Sequence, residues 1–287
     1  MGRGGDFRMK RALIALVFGC VVSGVAAYSV GAQTLASKVS LTRLDCGQSK
    51  GPRDVAAFSD THAYDGVKVP LVASCYLIRH GQDAMIWDTG YAAATRDDPK
   101  APIRLERTVV EQLRDVGVDP ARVTRIGISH YHADHTGQAR DFPGATLMIG
   151  TGDWAALNAP SPARGVDPAP LAPWVSGGGK VEQVTGDKDV FGDGTVVMLD
   201  TPGHTPGHHA LLVRLPGRGN VLLTGDLAHF QRNYDTNGVP SFNTNRADTL
   251  ASLDRFKRMA ANLKATVVIQ HEPADIAKLP AFPQAAE

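Results

Sequence analysis

The chain has few cysteines and no excess of charge of either sign, and both features narrow its chemistry. Three of its 287 residues are cysteine, and no two of them form a Cys-x-x-Cys pair. A zinc site built from thiolates therefore has little support. Basic and acidic residues balance to a formal net charge of +1, so the composition does not indicate a nucleic-acid partner.

The first 32 residues differ in composition from the rest of the chain. A basic start precedes an apolar run, and small residues follow it. This order is typical of a secretory signal peptide. We predict cleavage after Ala27 or Ala32. Residues 33–287 are predicted to form one domain, periplasmic or secreted and without a stable membrane partner. The alternative is an uncleaved anchor, since residues 12–30 are almost long enough to span a bilayer.

Two cysteines remain once the signal peptide and Cys20 are removed. Cys46 lies in LTRLDCG and Cys75 lies in LVASCYLIRH, both strand-like apolar runs. An oxidising compartment would permit a disulfide between them. We expect two small buried thiols instead, because unpaired cysteines are among the residues most often found in protein cores.

Strand-like runs alternate with segments of helical periodicity along the chain. The strand candidates are residues 41–46, 70–79, 83–87, 122–129 and 145–150, then TVVMLDTPG, HHALLVRL, NVLLTGD and ATVVIQH. Apolar residues three or four apart predict helices over residues 105–116 and 250–263. The segment 158–180 is rich in proline, glycine and alanine, which predicts a mobile loop or lid. Strands and helices in both halves favour sheet layers with helices outside.

Ligand-type side chains crowd together in SHYHADHTG, residues 129–137. His130, His132, Asp134 and His135 fall within six positions, directly after a buried strand. The two histidines that are two residues apart point to the same side of an extended backbone. Neutral imidazole and carboxylate are the groups that bind zinc and similar divalent metals. The HxHxDH spacing therefore predicts a metal site at this strand end.

Three more ligand-type residues follow later strands. His204 lies in TPGHTPGHH, Asp226 ends the run LLTGD, and His271 ends the run VVIQH. Together with the HxHxDH residues they make seven candidate ligands. Seven are too many for one tetrahedral ion and suit two ions.

This set of residues resembles the metallo-β-lactamase superfamily over about residues 41–275. The resemblance implies an α+β fold, the αβ/βα sandwich, in which two mixed sheets pack face to face with helices outside. It also implies two groups of metal ligands and a bridge. The first triad is His130, His132 and His204. The second triad is Asp134, His135 and His271. Asp226 would bridge the two metals together with a hydroxide, and Asp88 in WDTG would orient the ligands.

The implied chemistry is hydrolysis at a pair of divalent metals. Two dications about 3.5–4 Å apart can share a water and lower its pKa from 15.7 toward about 7. The same ions would stabilise the oxyanion that forms when this nucleophile attacks a carbonyl. Asp134 is a candidate catalytic residue, because it could pass a proton to the leaving oxygen. We expect zinc, although iron, manganese and cobalt accept the same ligands.

Three further stretches are similar to the N-acyl-homoserine lactonase group of this superfamily. They are LDCG, SCYLIRHG and the run GDLAHFQRNYDTNGVPSFNTNRADTLASLDR. The similarity implies a small-molecule lactone substrate with an acyl chain. Phosphotriesters, sulfate esters and β-lactams are the alternative substrates, although true β-lactamases of the superfamily lack the aspartate that stands here at position 226. A metal-binding protein without activity is the remaining alternative, which the complete ligand set disfavours.

One residue departs from the lactonase pattern. Known lactonases carry a tyrosine three residues after the bridging aspartate, and this chain has His229 there. An imidazole N–H could donate to the substrate carbonyl or protonate the leaving alkoxide, so His229 is a second candidate catalytic residue. The alternatives are that His229 only packs beside the site, or that Tyr234 replaces the missing tyrosine. Phe230, Phe242 and the 158–180 segment are candidates for an apolar acyl pocket.

Overall fold

The secondary structure comes from a computed structural model that describes residues 1–2, 38–163 and 165–287. The predicted signal peptide with Cys20 therefore lies outside the described residues, apart from its first two. The strands are β1 Val39–Ser49, β2 Arg53–Asp54, β3 Lys68–Val69, β4 Val72–His80, β5 Asp83–Trp87, β6 Ile103–Arg104, β7 Arg125–Gly127, β8 Thr146–Gly150, β9 Val181–Val184, β10 Lys188–Asp189, β11 Val196–Asp200, β12 His209–Leu215, β13 Gly219–Leu223 and β14 Thr266–Val268.

The helices of the described ranges are short, with one exception. The α-helices are α1 Val109–Asp115, α2 Ala133–Thr136, α3 Thr151–Leu157, α4 Ala172–Val175, α5 Gln231–Asp235 and α6 Arg246–Asn262. The 3₁₀ helices are Ala56–Phe58, Ala93–Asp97, Pro120–Arg122, Ala139–Asp141, Ala169–Leu171, Gly225–Leu227 and Pro273–Lys278. Even α6, with 17 residues, is not a candidate membrane span, and neither is any other helix among the described residues.

Two mixed sheets form the centre of the fold. The first has seven strands in the order β6-β1-β4-β5-β7-β8-β9, and the second has five in the order β10-β11-β12-β13-β14. The strands β5, β7, β8 and β9 run parallel to one another, as do β13 and β14. The carboxyl ends of parallel neighbours lie at the same edge of a sheet, so the loops that follow them are close in space.

Alternation along the strands explains why the sheets pack face to face. In β4, Tyr76 and Ile78 belong to the apolar cluster between the sheets, together with Leu211 and Val213 of β12. The intervening Leu77 faces the outer side of its own sheet. Successive strand residues point to opposite faces, and burial of both faces requires a layer on each side.

Helices supply the two outer layers. In α1, Val109 and Leu113 are buried against the first sheet, and Phe256 of α6 packs with Leu212 and Leu222 on the second. The order helix, sheet, sheet, helix is the αβ/βα sandwich, so the predicted fold is confirmed.

Two local predictions need correction. The helix predicted over residues 105–116 begins only at Val109, because Thr108 caps it: the Thr108 side chain accepts a bond from the backbone N–H of Glu111, and the Glu111 carboxylate accepts one from Thr108. The segment 158–180 is not a loop throughout, since it contains α4 and the 3₁₀ helix before it. The buried indole of Trp174 anchors this part by donating to the carbonyl of Ala145.

The expectation of two free thiols is wrong. Cys46 and Cys75 form a disulfide between β1 and β4, with their Cα atoms 5.8 Å apart. Cys75 pairs with Leu44 in the strand ladder, and Cys46 lies diagonal to it where the register of the two strands shifts between Asp45 and Gln48. This irregularity leaves no mark in the apolar pattern, so the sequence alone did not reveal the pairing.

We predict that removing this disulfide lowers the free energy of unfolding by about 2–5 kcal/mol, because the bond closes a loop in the unfolded chain. The measurement is denaturant unfolding of a Cys46→Ala/Cys75→Ala variant of a chain that starts after residue 32. Unreduced wild type should resist alkylation at both positions until a reductant is added. Two thiols that alkylate without reduction would contradict the pairing.

Candidate metal centre

The site forms where several strands end at one side of the sandwich. The loop after β7 carries the HxHxDH residues, and the turn after β5 carries Asp88. His204 follows β11, Asp226 follows β13 and His271 follows β14. The structure brings all seven predicted ligands into two adjacent groups.

Helix α2 folds the HxHxDH loop back on itself. His132 occupies its N-cap position with an extended backbone, and its carbonyl accepts bonds from the backbone N–H groups of His135 and Thr136. This turn allows Asp134 and His135 to approach the centre from a different side than His130 and His132.

The first triad brings three imidazole nitrogens together. His132 Nδ1 lies 2.8 Å from His130 Nε2 and 3.0 Å from His204 Nε2. Burial, with the nearby His135, holds the pKa of His130 well below its usual range. Burial and His204 lower the pKa of His132 to about 4. The rings of His130 and His132 are therefore neutral at pH 7, and their lone pairs together with His204 Nε2 form a group that favours a cation between them.

The second triad has an unsatisfied nitrogen. His135 Nε2 is buried and forms no hydrogen bond, although Asp226 Oδ1 is 3.1 Å away. Asp134 and His271 offer their ligand atoms within 4.8 Å of it. A buried polar atom without a partner costs free energy, and a metal ion would remove that cost here.

Asp226 lies between the two triads and turns one oxygen to each. Its Oδ2 is 3.3 Å from His204 Nε2 and 3.6 Å from His130 Nε2. Its Oδ1 is 2.8 Å from His271 Nε2. Burial alone would raise the pKa of Asp226, but the surrounding histidines, above all His135 and His271, hold it well below its usual range.

The potential at the second triad is negative. Burial would lower the pKa of His135, yet the carboxylates of Asp226, Asp88 and Asp134 raise it well above its usual range. The pKa of His271 is also raised, because Asp226 outweighs burial there. Groups that attract a proton so strongly also attract a metal cation, so the residues present fit a metal at each triad.

Asp88 orients the ligands without belonging to a triad. Its Oδ2 accepts hydrogen bonds from Gln270 Nε2 at 2.7 Å, from Ser129 Oγ at 2.8 Å and from His135 Nδ1 at 2.8 Å. Its Oδ1 accepts one from the backbone N–H of Ser129 at 2.7 Å. The bond to Nδ1 leaves His135 Nε2 free to face the centre, as the sequence predicted.

Several supporting residues were not predicted. Asn243 Oδ1 lies 2.8 Å from His204 Nδ1, and the carbonyl of Val72 accepts a bond from His271 Nδ1 at 2.6 Å. His208 Nε2 accepts from the backbone N–H of Asp226, which requires the neutral ring that burial favours by lowering its pKa. Neither the SFNTN run around Asn243 nor the Gln270 position carries a motif that would have revealed these contacts.

A pocket of about 330 Å³ opens onto both triads. One wall is apolar and consists of Phe58, Leu71, Val72, Pro102, Ile103 and Phe242. The polar side chains of the lining, besides the ligands and His229, are Ser49, Arg53, Asp54 and Tyr91. Tyr91 follows WDTG directly and was not predicted. Burial and the carboxylate of Asp134 raise its pKa, so its phenol keeps its proton near the site.

Of the two phenylalanines predicted for the pocket, one lines it and the other does not. Phe242 lines the pocket and is 46% exposed. Phe230 instead packs against Tyr64 in a separate apolar cluster. None of the described residues of the segment 158–180 lines this pocket, although a Cβ atom built at Gly165 would lie 3.9 Å from His132 Nε2. Tyr234 does not reach the site, since its ring packs on Phe256, so it does not replace the missing tyrosine.

His229 lies at the centre and lines the pocket. Its Nε2 is 3.1 Å from Asp226 Oδ2, and its buried Nδ1 has no hydrogen-bond partner. The ring packs edge-to-face on Phe58, with 4.7 Å between centroids. Burial lowers its pKa, although Asp226 opposes that shift. The ring is therefore neutral at pH 7 and carries one N–H to donate.

Comparison with known proteins agrees with this geometry. Residues 69–271 match the family model of the metallo-beta-lactamase superfamily. The chain belongs to this superfamily. It is a metal-dependent hydrolase, as the resemblance implied.

Two curated relatives and one solved structure illustrate the similarity. The N-acyl homoserine lactonase AttM of Rhizobium radiobacter is 30% identical over 247 residues, which cover 76% of this chain and 89% of the relative. AiiA of Bacillus thuringiensis subsp. kurstaki, also an N-acyl homoserine lactonase, is 25% identical over 76% of this chain and 88% of its own. An N-acyl homoserine lactone hydrolase, solved with N-hexanoyl-L-homoserine at its catalytic metal center, superposes with a TM-score of 0.72 at 23% identity, covering 88% of this chain and 100% of that one.

Proposed function

We propose that the protein opens the lactone ring of N-acyl homoserine lactones by hydrolysis at two divalent metals. The observation that carries the proposal is the Asp226 carboxylate, which faces the first triad with one oxygen and the second triad with the other. A carboxylate in that position can serve as a ligand that two metal ions share. The curated relatives are lactonases by name, which supports the choice of substrate.

The first triad with Asp226 Oδ2 would hold one metal, and the second triad with Asp226 Oδ1 would hold the other. When bound, the metals supply an acidified water and a positive charge that polarises the lactone carbonyl. Zinc suits the five imidazoles and two carboxylates best.

Asp134 would transfer the proton from the attacking water to the leaving oxygen. It lines the pocket, and its side chain is 25% exposed, against 5% for Asp226. Burial raises its pKa, but His135 and His271 outweigh that effect and lower it. The ionised carboxylate can accept a proton from the attacking water and return it to the alkoxide that leaves when the ring opens.

His229 would donate a hydrogen bond to the substrate. Its Nε2 is 3.1 Å from the Asp226 carboxylate that the two metals would share, so its N–H can reach a substrate carbonyl bound beside Asp226. The same N–H can stabilise the leaving oxygen by donating a hydrogen bond to it as negative charge develops. The neighbouring Phe58 fixes the plane of the ring.

The apolar wall of the pocket suits an acyl chain. Phe58 and Phe242 stand edge-to-face with centroids 5.3 Å apart and lie beside His229, so a chain that leaves the reacting carbonyl meets aromatic surface at once. A pocket of about 330 Å³ lies within the size range of small-molecule sites.

We propose that the enzyme is exported and acts in the periplasm or outside the cell. The Cys46–Cys75 disulfide supports it, because disulfides persist in oxidising compartments. The basic and apolar N-terminal segment points the same way.

A substrate panel on metal-replete enzyme tests the function. It contains hexanoyl to dodecanoyl homoserine lactones, a paraoxon-type phosphotriester, an aryl sulfate and a cephalosporin. We expect the highest kcat/KM on the lactones. Robust phosphotriester or sulfate ester turnover without lactone turnover would overturn the lactone assignment in favour of the alternative substrates.

For His229 we predict that His229→Ala lowers kcat by about 10²–10³-fold, the usual loss when one oxyanion donor is removed, while metal content stays at the wild-type value. Kinetics and elemental analysis on the same preparation give both numbers. Tyr234→Phe, on a tyrosine that does not reach the site, is the control and should keep its kcat. An unchanged kcat in His229→Ala would exclude this residue from the mechanism.

A further inference from the structure

A buried carboxylate that belongs to neither triad lies behind the first one. Asp153 is in α3, directly after β8, and is fully buried. Its Oδ1 accepts a hydrogen bond from the backbone N–H of Gly207 at 2.7 Å. Its Oδ2 accepts bonds from Thr205 Oγ1 at 2.9 Å and from the backbone N–H of Tyr131 at 3.0 Å.

These three donors belong to the two loops that carry the first triad. Tyr131 lies between the two histidines that the HxHxDH loop contributes to it. Thr205 and Gly207 lie in the turn that follows His204. The two loops are far apart in sequence, and the Asp153 carboxylate is bonded to both at once. Its position therefore fixes the distance between the ligands of the first triad.

The turn after His204 fits tightly onto the start of α3. A Cβ atom at Gly152 would lie 2.7 Å from the backbone carbon of Pro206, and one at Gly150 would collide with the carbonyl of Gly207. Such close approach leaves the turn little freedom to adjust if the hydrogen bonds to Asp153 are lost.

The hydrogen bonds require a charged acceptor. Burial raises the pKa of Asp153 to about 6, and the bonds from Gly207, Thr205 and Tyr131 counteract that shift. At neutral pH the group is ionised, and both oxygens accept. An asparagine would present an NH₂ group to at least one N–H or O–H donor, so one loop would lose its partner.

We propose that Asp153 is a positioning residue for the first triad, and that the metal held there depends on it while the metal at the second triad does not. Asp88 has the matching relation to the second triad through His135. The inference rests on the proposed two-metal centre. Loss of an outer interaction that orients metal ligands typically weakens metal binding by about 10–100-fold.

The test is Zn²⁺ affinity by chelator competition, with Asp153→Asn placed in two backgrounds. In His271→Ala, where the first triad is intact, we expect Asp153→Asn to weaken Zn²⁺ binding by about 10–100-fold. In His204→Ala, where the second triad is intact, the same change should alter the affinity by less than about threefold. Equal effects in both backgrounds, or none in either, would overturn the proposal.

A matched control separates positioning from general loss of stability. Asp189 also accepts bonds from backbone N–H groups, those of Phe191, Gly192 and Gly194, but in a turn without metal ligands. Asp189→Asn should leave the Zn²⁺ affinity unchanged, and an affinity loss equal to that of Asp153→Asn would contradict a specific role.

A milder variant decides the question if Asp153→Asn does not fold. Thr205→Val keeps the shape of the side chain and removes one of the three bonds, so we expect a loss of about 3–10-fold in the His271→Ala background alone. An unchanged affinity there would sink the proposal. Wild type that binds two Zn²⁺ ions, yet shows no effect of these variants, would reject this inference and leave the proposed function standing. Wild type that binds fewer than two ions would instead reject the two-metal centre.

Discussion

The candidate centre depends on one carboxylate that two sets of imidazoles share. Asp226 is buried, and burying an ionised group is unfavourable unless positive charge compensates it. The histidines around it provide part of that compensation by holding its pKa low, and metal cations would provide the rest. The same carboxylate raises the pKa of His135 and His271. Removal of the Asp226 charge would therefore change the electrostatics of every other ligand.

The sandwich explains how residues from distant parts of the chain reach this carboxylate. Parallel neighbours such as β5 and β7, or β13 and β14, end at the same edge, and each end carries a ligand or a residue that orients one. Two buried aspartates then fix the loops from behind. Asp88 binds the backbone and side chain of Ser129 together with His135, and Asp153 joins the HxHxDH loop to the turn after His204.

The grouping of the candidate ligands was predictable from sequence, because divalent metals bind particular residue types and these stand here at strand ends. The sheet layers were predictable because strand alternation records which faces are buried. Contacts that rest on geometry were not. Asn243 reaches His204 through a loop with no motif, and Cys46 bonds to Cys75 at an irregularity of β1 that the apolar pattern does not record. Tyr91 follows the WDTG motif, yet only the folded turn brings it into the pocket. The assignment of Phe230 to the pocket was wrong, because an apolar residue in a sequence indicates burial but not which cavity or cluster its side chain faces.

Anomalous diffraction from crystals of the Zn²⁺-loaded protein, recorded at the zinc edge, tests the central claim most directly. We expect two peaks about 3.5–4 Å apart, one beside each triad, with the Asp226 carboxylate between them. A single peak, or two peaks of which neither lies within ligand distance of Asp226, would contradict the shared carboxylate and the hydrolytic centre built on it.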